Sequence, residues 1–311
     1  MADNDLFDRP LLRQRRARFA RELAEHDFLL AHVATEIAER IAAILRDFPL
    51  ALDLGAHFGP VGRKVAELAT VGEMIYAEST PALAALCPRP AVVCDEELLP
   101  FKEPSFNLVV SGLSLHRVND LPGALVQARR ALCPDGLFIV ALLGANSLRE
   151  LRHALLEAEA QEEGGASPHI APFGDVREYG ALLQRAGFAL PVADSETLTV
   201  TYASPRALMR ELRVMGGGNV LSARRKAPLP RRTLERAEAI YRERQGTPGG
   251  KVGATFEIVY LSGWAPHASQ QQPLRPGTAT ARLADALHTK EHTAGDKTAF
   301  PAGSRPNRNR N

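Results

Sequence analysis

Leu50-Ala51-Leu52-Asp53-Leu54-Gly55-Ala56-His57-Phe58-Gly59 reads as a buried strand running into a glycine-punctuated turn that opens a helix. Apolar Leu50, Ala51 and Leu52 suit a strand covered on both faces, Gly55 lets backbone approach a ligand, and Gly59 permits close packing of the following helix. An α/β protein builds a nucleotide pocket from this order of parts. His57 stands where a further glycine is usual, so the pocket is expected to hold its ligand in an altered way or not at all.

Outward from this corner the chain alternates between strand and helix patterns. Residues 9–46 carry an apolar stripe through Leu12, Phe19, Leu23, Phe28, Leu29, Val33, Ile37, Ile41 and Leu45, which predicts two helices broken near His26-Asp27. Strands are expected at 73–78, 91–94, 106–111 and 137–142, with helices at 61–69, 80–87 and 121–132 between them. Helices at 147–163 and 175–186 follow, then strands at 196–202 and 255–261 that flank a helical insertion with helices near 205–215 and 231–244. The predicted fold is α/β, a Rossmann-like seven-stranded sheet with helices on both faces, and the βαβ alternation calls for parallel pairing. The expected organisation is an N-terminal helical extension over 1–46, a main domain over 47–267 with an insertion or lid at 205–250, and a disordered tail over 268–311.

Composition restricts the function classes. At 311 residues, 45% hydrophobic and 24% charged, the chain is an ordinary globular protein, and no apolar run approaches the ~20 residues a membrane helix needs. Arg13, Arg15, Arg16, Arg18 and Arg21 are not followed by the apolar core of a secretory signal, so a cytoplasmic setting is expected. Cys87, Cys94 and Cys133 lack metal-ligand spacing and fit buried thiols in a reducing compartment. Residues 268–311 hold seven Lys or Arg against three Asp or Glu, so the remainder carries −2 of the net +2. A body of that charge argues against nucleic acid as the partner.

Strand ends suggest the ligand. Glu78 closes the second strand, where a carboxylate can accept both ribose hydroxyls of an adenosine, and Asp95 closes the third, where it can accept from an adenine amino group. With Asp53, Gly55, His57 and Gly59 of the turn, Glu96 beside Asp95, and Ser111 ending the fourth strand, these form the expected cofactor-binding set. A dinucleotide would call for a loop richer in glycine to cradle its pyrophosphate. The combination favours S-adenosyl-L-methionine, which carries no phosphate. The bland alternative is that the glycines are ordinary punctuation and the acids are helix caps.

Asp53-Leu54-Gly55, Asp95 to Phe101, Phe106 to Ser111 and Leu132 to Gly136 together resemble the class I methyltransferase core of the type that includes the malonyl carrier-protein methyltransferase. More specifically, Phe7-Asp8-Arg9, His26-Asp27-Phe28-Leu29-Leu30, Ser114 to Pro122, Gly164 to Phe173 and Arg185-Ala186-Gly187-Phe188 resemble the family of mitochondrial complex I assembly factors that act as arginine hydroxylases, and its alphaproteobacterial relatives. The resemblance covers about residues 6–265. It implies a methyltransferase fold and a protein substrate, a subunit of respiratory complex I. The family turn reads Asp-Leu-Gly-Cys-Gly-x-Gly, whereas Ala56 and His57 stand here, and Arg117 replaces a common Trp.

His116, after the fourth strand, is a candidate general base or substrate-orienting group, and His169 is a candidate lid residue; each has the alternative of an ordinary loop histidine. Methyl transfer needs mainly alignment, whereas hydroxylation needs a redox centre. No metal site is expected, because His116, His153 and His169 with Glu157 or Asp120 lack tight spacing. Arg206, Arg210, Arg213, Arg224, Arg225, Lys226, Arg231 and Arg232 in the insertion suggest a lid that holds a protein substrate or touches an anionic membrane peripherally, with a solvated helix face as the alternative. Three functions compete: an adenosylmethionine-dependent enzyme acting in complex I assembly, a non-catalytic assembly factor with a degenerate pocket, and a small-molecule or carrier-protein methyltransferase.

Overall fold

The computed structural model describes residues 5–271, together with residues 285 and 287–289, so most of the segment expected to be a disordered tail lies outside the described residues. The chain divides into Met1–Ala268 and Ser269–Asn311. All that follows concerns the first of these.

Strand β1 (Phe48–Leu54) lies between β2 and β4 in a seven-stranded sheet of order β3-β2-β1-β4-β5-β7-β6. The other strands are β2 (Val71–Glu78), β3 (Ala91–Val93), β4 (Phe106–Gly112), β5 (Leu132–Leu143), β6 (Ala189–Tyr202) and β7 (Val252–Trp264). Successive residues of β1 feed opposite faces: Phe48 and Ala51 join one apolar cluster, Leu52 and Leu54 the other. Burial on both faces is what made the segment legible as a continuous apolar run.

The expectation of a parallel sheet is corrected at one strand. β7 runs antiparallel to both β5 and β6, while β1, β2, β3, β4 and β5 pair in parallel. The β6–β7 ladder extends from Ala189↔Trp264 to Tyr202↔Val252, so the helical insertion lies across one end of what is otherwise a long hairpin. β6 also starts earlier than the alternation at 196–202 suggested. Its outer face is exposed at the sheet edge, so no buried pattern marks its first residues.

Helices cover both faces: α1 (Arg9–Arg18), α2 (Phe28–Ala42), α3 (Pro60–Ala66), α4 (Pro81–Ala84), α5 (Leu121–Ala131), α6 (Arg149–Glu163), α7 (Val176–Arg185), α8 (Pro205–Val214) and α9 (Arg231–Gln245). Val33, Ile37 and Ile41 make the fully buried stripe of α2. Proline stands in the first turn of α1, α3, α4, α5 and α8, where its missing N–H costs nothing. α7 opens on a capping box in which Asp175 accepts from Glu178 N–H and the Glu178 carboxylate accepts from Asp175 N–H.

The N-terminal helices break earlier than the stripe implied. α1 ends at Arg18, and a 3-10 turn over Leu23–His26 leads into α2. Ala20 and Leu23 turn inward against Leu83 of α4, and that packing outweighs continued helix.

Candidate active site

The site lies at the carboxyl ends of β1, β2 and β4, where the strand order reverses direction and a crevice opens. The turn after β1 is tight. Gly55 sits at φ 69°, and a Cβ there would lie 2.2 Å from Ser114 Oγ, so only glycine fits. His57 also has a left-handed backbone, at φ 55°, the conformation that glycine supplies at low cost. Three bonds hold it there: its N–H donates to Glu78 Oε2 at 2.8 Å, Nε2 lies 3.0 Å from the Gly112 carbonyl, and Nδ1 lies 2.7 Å from an Arg16 nitrogen. The histidine is thus built into the corner. Burial, with the Arg16 charge, pushes its pKa well below the usual imidazole value, so it is neutral near pH 7.

The acids expected at the strand ends are all present there, and arginines of α1 engage them. Fully buried Glu78 accepts from Arg16 at 3.0 Å and from Thr80 N–H at 2.8 Å. Burial pushes its carboxyl up, against the pull of Arg16. Arg9 pairs with Asp95 and with Glu96, the latter at 2.5 Å, and Arg13 reaches Asp95 at 2.9 Å. Glu96 also accepts from Ser114 Oγ at 2.9 Å. Arg9, Arg13 and Arg16 are spaced i, i+4, i+7 and therefore share one helix face. The sequence reading weighed Arg13 and Arg16 only against a secretory signal and quoted Arg9 only within a family motif; a basic stripe on one helix face, with acids at buried strand ends, was the available signal.

Asp53 is placed otherwise. Its Oδ2 accepts Gly62 N–H at 2.8 Å, tying β1 to α3, and Oδ1 has no partner. Burial raises its pKa to about 7, so it rests largely protonated in mild acid. Gly59 caps α3 at φ 92°, beside Pro88 and Tyr76. Ser111 is fully buried at the end of β4, with an unpartnered hydroxyl.

His116 and His169 are brought together on the wall of one partly open chamber of about 80 Å3, lined also by His57, Leu29, Leu143 and Phe256. His116 is 6% exposed and neither ring nitrogen has a partner among the described residues; Phe173 packs edge-on against it with ring centroids 5.4 Å apart. Burial and the adjacent Arg117 lower its pKa well below the usual value, leaving a neutral ring with a free lone pair. His169 is instead 3.1 Å from Glu159, whose carboxylate also accepts from Ser167 N–H and Oγ, so this pairing orders the 164–173 loop. Arg117 lines the chamber and donates to the Gly216 carbonyl. No carboxylate lies within ion-pair distance of it among the described residues. Burial and Arg16 lower it to about 10. Among the described residues no group of three or more His, Cys, Asp and Glu is arranged to hold a metal ion.

A closing segment completes the chamber. Phe7 N–H donates to Asn119 Oδ1 at 2.8 Å, Asp8 N–H donates to Val220 O at 2.8 Å, and Asp8 pairs with Arg224 at 3.0 Å. Phe7-Asp8-Arg9 therefore joins the N-terminus, the loop after β4 and the insertion.

A family model described as a methyltransferase domain matches residues 52–140. The human protein named arginine-hydroxylase NDUFAF5, mitochondrial, is 42% identical over 288 residues, covering 90% of this chain and 83% of that protein. The Danio rerio protein of the same name is 39% identical, over 90% and 89%. A malonyl-acyl-carrier-protein O-methyltransferase of Halorhodospira halophila is 33% identical, over 87% and 92%. The YcgJ protein of Bacillus subtilis shares the fold with a TM-score of 0.53 at 16% identity, covering 76% of this chain and 99% of that one. Identity of this extent, joined to the strand order above, assigns the chain: it belongs to the NDUFAF5 arginine-hydroxylase family within the class I S-adenosylmethionine-dependent methyltransferase superfamily.

Proposed function

We propose that this protein binds S-adenosyl-L-methionine and modifies a protein subunit during assembly of respiratory complex I. The observation that carries the reading is the site itself: carboxylates at the ends of β2 and β3 flank the Gly55 turn, next to a chamber where His116 presents two unpartnered ring nitrogens. The donor set fits an adenosine, since Glu78 suits the ribose hydroxyls, Asp95 and Glu96 suit the base, and buried Ser111 Oγ and Thr80 Oγ1 await partners. Bound adenosylmethionine supplies an activated methyl group next to a sulfonium. On the protein side, His57 fixes the turn, neutral His116 accepts a proton or orients the substrate, and the His169 loop closes the chamber against water. Glu78, Asp95 and Glu96, which α1 arginines engage in this structure, would hold the cofactor's hydroxyl and amino groups.

Arginine hydroxylation is the activity in the names of the mitochondrial relatives, and it supports a protein side chain as the substrate. Mass spectrometry of complex I subunits from a deletion strain tests this directly: a modification present in the parent and absent from the deletion is expected, and an unchanged pattern rejects the substrate. Titration calorimetry with adenosylmethionine tests the cofactor, and no heat up to millimolar ligand would reject it.

Arg117 favours a second reading. A cation without a carboxylate, on the wall of an apolar chamber, suits an anionic group better than a guanidinium. The carrier-protein methyltransferase relatives act on a malonyl group by name, and a methyl-transfer assay on malonyl carrier protein distinguishes the two readings.

A further inference from the structure

A second concavity of about 840 Å3 opens beside the chamber and shares His169, Ile170, Leu212 and Asn219 with its wall. Among the described residues seven arginines line it, Arg15 and Arg18 from α1 and five from the insertion, and no acid does. Arg206, Arg224 and Arg225 have carboxylate partners in Glu238, Asp8 and Glu163. Arg15, Arg18, Arg210 and Arg213 have none within ion-pair distance among the described residues. Burial first, and then the like charge of Arg224, lowers Arg15, against the pull of Asp8. Between the arginines lie Leu151, Leu155, Met209, Leu229 and Leu234.

We propose that this groove docks an acidic, leucine-rich segment of the substrate protein, delivering one of its side chains through the shared wall to His116. The proposal rests on the reading that the substrate is a protein. Charge selects acidic residues, since four of these arginines have no carboxylate partner among the described residues. The aliphatic lining selects apolar side chains between them; a single-stranded nucleic acid would call for a run of stacking rings, and the lining offers Phe19 and the His169 imidazole alone among the described residues. Concavity selects a chain over a bilayer, because a flat surface does not reach Leu151 and Leu155 between the arginines. Size agrees: the inner chamber admits a side chain, the outer groove a peptide segment.

Fluorescence anisotropy with the full-length protein tests this with a labelled peptide of three Glu-Leu-Glu-Glu-Leu repeats and its Gln-for-Glu counterpart. The Glu peptide should bind about tenfold or more tightly than the Gln peptide, and Arg210→Glu with Arg213→Glu should weaken it about tenfold. The same charge change on exposed α7, Arg177→Glu with Arg185→Glu, should leave binding intact. Equal affinity for both peptides, or unchanged binding in the Arg210/Arg213 variant, overturns the proposal. So does tighter binding of phosphatidylserine vesicles or of an oligo-uridine, lost in that same variant. Binding is read without any modification step. Peptide binding with unchanged complex I spectra would reject the substrate reading alone, and altered spectra without peptide binding would reject the groove alone.

Discussion

His57 is the residue at which two physical demands meet. Its φ of 55° favours glycine, yet its ring reaches Gly112 and Arg16. Substitution separates the two demands. His57→Ala removes the ring and keeps the unfavourable backbone, so it should be about 1 kcal/mol less stable than His57→Gly in urea denaturation. Asp53 gives a titration test. Its carboxyl is raised from 3.8 to about 7 on folding, so its contribution is complete below 3.8 and lost as pH rises through 7. Wild type should therefore lose stability relative to Asp53→Asn across that interval, by an amount on the order of 3 kcal/mol. His116 works in the opposite sense. Its lowered value means the unfolded chain takes up a proton that the folded chain refuses, so stability falls as pH drops below 6.5. His116→Phe should flatten that fall.

At the scale of elements, α1 matters more than its length suggests. Its Arg9, Arg13 and Arg16 neutralise three acids gathered at the ends of β2 and β3, and the Arg16–Glu78 pair is buried on both sides, at 6% and 0% side-chain exposure. Removing one partner of such a pair leaves an uncompensated charge. Arg16→Ala should cost about 3 kcal/mol near pH 7 in chemical denaturation. The deficit should shrink on acidification, because the raised Glu78 carboxyl then takes up a proton in the folded state. Arg231→Ala is the control. Arg231 is 89% exposed in its pair with Glu235, and its loss should leave the denaturation midpoint at the wild-type value.

For the whole molecule, the decisive feature is that residues far apart in sequence close one chamber. Leu6 and Phe7 pair with Leu221 and Ser222, Asp8 with Val220 and Arg224, Arg15 with the Asn219 carbonyl, and Arg117 with the Gly216 carbonyl. Loosening one end should loosen the other. In native-state hydrogen exchange, Phe7→Ala should speed exchange of amides 216–224 by about tenfold or more while leaving β1 and β4 protected. If exchange rose only around residue 7, the N-terminus and the insertion would not form one closing unit.

How much of this was legible follows from the range of the interactions. The segment Leu50 to Gly59, the helix boundaries of α5 to α9, and the placing of Glu78 and Asp95 at strand ends could be read because burial period, proline, glycine and capping residues act within a few residues. The reversed β7 was not legible, since an apolar strand buried on both faces looks the same in either direction. Nor was the union of His116 with His169, of Arg9 and Arg16 with the acids, or of Arg15 with Arg213. Those are encounters across scores of residues, set by how layers stack rather than by any local preference. The sequence by itself determined the glycine-punctuated corner between β1 and α3, the strand and helix segments and the candidate acids. Only the tertiary structure decided that His57 is built into the turn, that arginines hold those acids, and that a basic groove adjoins the chamber, because a charge's partner is chosen by the fold that brings it there.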